Sequence, residues 1–158
     1  MLTTTQLQTL KADIAADPIL DALPKTSDGA FEIAIAYNLA ADPVYVVWKT
    51  DLPTSECKKA MVWTEFIARS VGERDAWQFM LSNGTINPSD VNVRQGIQDM
   101  FSGPGGAETR AALVAISKRS ATRAEKLFAE GVGSDASPGT MTFEGNLSYQ
   151  TVMQAWNS

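Results

Sequence analysis

The chain has 158 residues, 44% of them hydrophobic and 20% charged, with 13 Lys/Arg against 18 Asp/Glu, one cysteine and no histidine. The missing histidine removes the Ser-His-Asp and Cys-His mechanisms and most zinc sites, because histidine is the commonest general acid/base and metal ligand at neutral pH. The net charge of −5 argues against a protein whose main work is coating nucleic acid.

Length predicts one helical domain over 1–158, with a single core that needs neither disulfide nor metal. No stretch approaches the roughly 18 apolar residues of a membrane span, and Met1–Leu10 lacks the basic start and apolar run of a signal peptide. Both features predict a protein made and kept in the cytoplasm unless something larger carries it out. Cys57, without a partner, reads as a small buried apolar residue.

Thr3, Thr4 and Thr5 offer helix caps, and Leu7, Leu10 and Ile14 give one apolar face that ends before Pro18. A further turn fits Ile19–Leu23. From Ala30 to Ala41, Phe31, Ile35 and Leu39 recur every four residues with Ile33 and Ala34 beside them, which predicts a helix stopped before Pro43. Val44–Trp48 is dense enough in β-branched and aromatic residues for a strand, and Met141–Gly145 is its best partner, within the subunit or in a neighbour.

A helix from Thr54 or Ser55 to about Arg69 follows, and Ser70 with Glu73 has the spacing of a capping box that opens another helix through Leu81. Thr85–Ser89 reads as a loop, and Val91–Phe101 as a helix with Val93, Ile97, Met100 and Phe101 inward. Gly103–Gly106 is the clearest breaker and predicts a hinge. Ala107–Glu130, free of Gly and Pro, predicts the longest helix, and 131–139 a mobile loop by composition. The stretch 141–158 reads as a terminal extension with a short helix from Ser148. The fold class expected is mainly α, a helical bundle with one or two short β-strands that form a small hairpin or are lent to a neighbour.

Paired carboxylates run glycoside hydrolysis without histidine, and Glu65, Glu73 and Asp75 lie near Trp63, Phe66 and Trp77. Their simpler reading is structural: Glu73 in the capping box, Asp75 in a first helical turn, Glu65 on an exposed face. No phosphate loop, calcium loop or nucleophile motif is present. On a continuous 107–130 helix, Arg119, Arg123 and Lys126 fall at i, i+4 and i+7, with Arg110 and Lys118 nearby. Such a stripe suits phosphates, an acidic partner, a neighbouring subunit's acidic face, or plain solvation. Of four tryptophans, Trp48, Trp63 and Trp77 are expected in the core, and Trp156 either anchors a partner or packs back on its own domain.

The tracts Pro43–Thr50, Trp63, Ser70–Gly72, Trp77–Met80, Asn83-Gly84, Asn92–Ile97, Thr122–Glu125 and Thr142–Ser148 together resemble small structural-module proteins of tailed bacteriophages, similar to head-to-tail adaptors. The resemblance spans most of the chain from residue 43. It implies a non-enzymatic virion protein without cofactor, assembled in the host cytoplasm and located at the neck. It further implies a ring, typically dodecameric, that binds the portal protein and the tail or tail-terminator protein while DNA passes transiently. On that footing Arg110, Lys118, Arg119, Arg123 and Lys126 are candidates to face the channel or a subunit. Phe143, Leu147, Tyr149, Val152 and Trp156 are candidates to touch the portal or a neighbour. The rival roles are a tail terminator or completion protein, a capsid decoration protein, and a small cytoplasmic muralytic or regulatory protein.

Overall fold

A computed structural model describes every residue from Met1 to Ser158. The elements run α1 (Thr4–Ala16), α2 (Pro18–Asp21), α3 (Ser27–Asn38), β1 (Val46–Trp48), β2 (Leu52–Pro53), α4 (Thr54–Ala60), α5 (Trp63–Ile67), α6 (Val71–Met80), β3 (Thr85–Ile86) and α7 (Val91–Met100). A 3-10 turn at Pro104–Gly106 precedes α8 (Ala107–Ile116), β4 (Lys118–Ser120), α9 (Arg123–Phe128), β5 (Ala129–Glu130), β6 (Thr140–Met141) and α10 (Tyr149–Trp156). Helix accounts for 56% of the residues, and the strands form only two-stranded pairs, β1 with β4, β2 with β3 and β5 with β6. The fold is mainly α with short strands, as the sequence predicts.

Buried side chains gather in two clusters where length predicts one, each inside one of two compact units. Unit 1 is discontinuous, Met1–Val47 with Ser120–Ser158, and unit 2 is the contiguous Trp48–Arg119.

Local chemistry sets the elements of unit 1. The Thr3 hydroxyl accepts from Gln6 N–H at 3.2 Å, and the Gln6 amide accepts from Thr3 N–H at 3.0 Å, closing a capping box at the start of α1. Asp17 ends α1 and caps α2, its carboxylate accepting from Ile19 N–H at 3.0 Å, while Pro18 fills a first helical position that needs no N–H. Helix α3 packs against α10 and buries Ala30, Ile33, Ala34 and Tyr37. The two helices are tied by Asn38, which donates to Leu147 O at 3.0 Å and accepts from Leu147 N–H at 2.8 Å. Val152 and Ala155 of α10 are completely buried beside Leu10 and Ile14 of α1.

The segment 131–139 is closed at its base by the antiparallel β5–β6 pair, Ala129 opposite Met141 and Glu130 opposite Thr140. Tyr45 then holds it. Its hydroxyl donates to Gly131 O at 2.9 Å, and its ring lies where a side chain at Gly133 or Gly139 would stand. Gly133 has φ +71°, so both the space and the backbone require glycine. The expected pairing of Val44–Trp48 with Met141–Gly145 does not form. β6 is taken by β5, and β1 pairs with β4, leaving a single parallel bridge between Val47 and Gly139.

In unit 2, Leu52 pairs with Ile86 across the β2–β3 ladder, so Thr85–Ile86 is strand where the sequence predicts loop. The helix expected over 54–69 breaks at Met61, whose ψ of 134° turns a buried side chain into the core. The next N–H, Val62, is given to the Thr109 hydroxyl at 3.1 Å. Helix α6 opens on the predicted box, Ser70 and Glu73 each capping the other. Trp77 stands edge-on to Phe101 with ring centres 5.3 Å apart in the middle of this core. The glycine segment after Phe101 is clamped rather than open: Arg69 donates to Ser102 O at 3.1 Å and Gly105 O at 2.7 Å, and Arg110 donates to Phe101 O.

The long helix predicted over 107–130 is also divided. The Ser117 hydroxyl donates back to Leu113 O at 2.6 Å at the end of α8, residues 118–120 extend as β4, and Thr122 starts α9 through a capping box with Glu125. The Ser117 hydroxyl and the Thr122 cap each give the backbone a bonding partner other than a continuing helix, which overrides an otherwise helical composition.

Candidate functional site

The division of that helix disperses the basic stripe. Arg110, Lys118 and Arg119 belong to unit 2, and Arg123 and Lys126 to unit 1, so they do not form one helical face. Arg110 is engaged with the Phe101 and Gly103 carbonyls. Lys118 and Arg119 lie partly buried on β4. Arg123 donates from Nη1 to Asp17 Oδ2 at 2.9 Å and from Nη2 to Asp13 Oδ2 at 3.2 Å, and its guanidinium lies 4.5 Å from the centre of the Tyr37 ring. Lys126 donates to Pro43 O at 3.2 Å.

Arg123 and Lys126 line a cleft of about 680 Å³ together with Asp13, Asp17, Leu39 and Asp42. The hydrogen bond from Arg123 holds the Asp17 carboxyl below its ordinary value. Burial, and then the Asp13 carboxylate that accepts its hydroxyl, push the Tyr37 phenol well above its ordinary value. A phenol so raised is a poor acid, and a carboxylate so lowered is a poor proton acceptor. The cluster therefore works as a clasp between α1, α3 and α9, with its guanidinium and both carboxylates already bonded to one another.

The five C-terminal candidates are mostly interior. Leu147 and Val152 sit in the unit 1 core, and Trp156 packs back against it. Phe143 stands edge-on to Phe128 at 5.6 Å between ring centres. Only Tyr149 reaches the surface, where it shares a shallow depression with Ser27, Asp28 and Phe31. Residues 149–156 are thus a core helix of unit 1, and not an extension free to reach a partner.

The carboxylates considered for catalysis have structural work. Glu65 accepts from Glu108 N–H at 3.2 Å and Thr109 N–H at 2.8 Å, capping α8 from a different helix, and its bonding to Thr109 lowers its pKa. Glu73 is likewise lowered, first by the Ser70 side chain. Cys57 is fully buried, and burial pushes its thiol up to about 11, leaving it an unreactive apolar filler.

Two exposed surfaces remain that the sequence did not place at the surface. On α3 the apolar face expected to be a helix's buried side lies outward: Phe31 is 55%, Ile35 45% and Leu39 62% exposed, flanked by exposed Asp28 and Glu32. The sequence pattern alone does not separate this face from the Ala30, Ile33, Ala34 and Tyr37 face, because both repeat with helical spacing. On unit 2, Trp48, Val91, Arg94, Ile97 and Val114 line a groove of about 290 Å³. Arg94 lies 4.7 Å over the Trp48 ring and donates to Pro88 O at 2.7 Å and Ser89 O at 2.8 Å. Trp48 is therefore half-buried under a cation, and Trp63, expected in the core, is 56% exposed.

No helix is long and apolar enough to cross a membrane. Comparisons of the chain with protein-family models, with curated proteins and with solved structures give no match.

Proposed function

We propose that the chain is a virion structural subunit, a head-to-tail adaptor that assembles as a ring beneath the portal protein at the neck of a tailed phage and receives the tail. The observation that carries the reading is the outward apolar ridge of Phe31 and Ile35 on α3, continued by Leu39 at its C-terminal cap, while the opposite face of the helix is already buried. The outer face of a surface helix is ordinarily polar, and contiguous exposed apolar side chains mark contact surfaces. Unit 2 adds Trp63, Ile67, Val71 and Phe79, each more than half exposed. The resemblance to phage neck modules supplies the setting, and a net charge of −5 suits a channel wall past which DNA slides without being gripped. The engagement of Glu65, Glu73, Asp13 and Asp17 in caps and ion pairs favours an assembly role over a muralytic one.

A nonsense mutation in the gene tests this. An adaptor leaves DNA-filled heads without tails, rescued by the wild-type chain supplied in trans. A decoration protein would leave tailed particles of altered head stability, and a tail terminator would leave tails of uncontrolled length. Either result would contradict the neck position.

A further inference from the structure

The α3 ridge and the Trp48–Arg94 groove are chemically complementary. The groove has an apolar lining from Trp48, Val91, Ile97 and Val114, and Val91 is 63% exposed. Arg94 is held in place by two backbone carbonyls on Nη1 and by its stacking on Trp48, and it carries no ion pair. A guanidinium fixed in this way has its remaining N–H groups ready for a carboxylate, with little side-chain entropy left to lose. The ridge offers the counterpart. Asp28 and Glu32, four residues apart on α3, form an exposed acidic row beside Phe31 and Ile35.

We infer that the α3 ridge of one copy seats in the Trp48–Arg94 groove of a second copy, Asp28 and Glu32 pairing with Arg94 while Phe31 and Ile35 cover Trp48 and Val91. The inference rests on the assembly reading above and names the contact that the assembly uses. Ridge and groove are different patches of one chain, so the contact is heterologous and repeats from copy to copy, as a ring requires. Ridge-to-ridge pairing is disfavoured because α3 contains no Lys or Arg to meet the two carboxylates. Aromatic and arginine side chains at a desolvated centre are also the composition in which interface energy concentrates.

The test is sedimentation velocity of the full chain from micromolar to millimolar concentration, with amide exchange as a check on folding. Wild type associates. Ile35→Asp breaks the ridge and Arg94→Glu breaks the groove, and each weakens association at least about tenfold. Mixing these two variants leaves one intact ridge and one intact groove, giving one-to-one complexes that grow no further. Adding Glu32→Arg to Arg94→Glu restores association. A wild type that stays monomeric at millimolar concentration overturns the inference, as does an Arg94→Glu chain that associates like wild type. The second result would leave the neck reading intact, whereas a chain that self-associates by this contact yet is absent from particles would overturn that reading alone.

Discussion

Unit 1 and unit 2 are similar in content and opposite in construction. Unit 2 is one run of chain, Trp48–Arg119, whose core of Trp77, Ile97, Phe101 and Leu113 is drawn from neighbouring helices. Unit 1 brings α1 and α3 together with α10, more than a hundred residues away, and without α10 its core loses Val152 and Ala155. Local contacts form at lower entropic cost than distant ones, so unit 2 has the means to form early, and unit 1 closes only when both of its segments are present. The contrast teaches where a lesion at one end of the sequence is felt.

The strongest way to break the contrast is Val152→Asp, which buries an unpaired charge in α10. Amide protection should vanish from α1 and α3 and persist in α6 and α7. Loss of protection in both units at once would show that they fold as one cooperative block. Phe101→Ala acts in the other direction: it removes the ring that Trp77 meets edge-on and should cost about 3–5 kcal/mol in unit 2, read by denaturant unfolding, while α1 and α3 keep their protection. Arg123→Ala is milder. It opens the clasp to Asp13 and Asp17 and uncovers the Tyr37 ring, with an expected cost of about 1 kcal/mol that shrinks as salt is added.

The smallest effect is a pH dependence. Glu65, Glu73 and Asp17 all have pKa values lowered in the folded chain, Glu65 by its bonding to Thr109, Glu73 by Ser70 and Asp17 by Arg123. A lowered folded value means that their contribution is complete above the ordinary carboxylate range and is lost as pH falls through the folded values. Through these three carboxylates, thermal stability should decline on the acid side. Glu65→Gln should flatten that decline for unit 2 and leave unit 1 unchanged, as followed by exchange at several pH values.

Much of this fold was legible where a cap announces an element. Thr3, Ser70 and Ser148 each cap the helix that follows them. The capping spacing Thr122-x-x-Glu125 is equally plain, yet an Ala-rich run without Gly or Pro masked it, and the basic stripe drawn along that run dissolved with the break. Burial direction was less accessible. On α3 the period of four selects Phe31, Ile35 and Leu39, but the smaller residues Ala30 and Ala34 let α10 approach closely, so the bulky face points outward. Such a choice depends on a helix distant in sequence, as does the burial of Val152 and Leu147. The Trp48–Arg94 groove was for the same reason invisible in one dimension: Arg94 meets Trp48 only after unit 2 has folded.

The central claim, that this chain is a ring subunit of the phage neck, is tested most directly by its copy number in purified tailed particles, measured by quantitative mass spectrometry against the portal protein. The account predicts a dozen copies per particle, in parity with the portal. Its absence from particles, or hundreds of copies in proportion to the capsid protein, would contradict it.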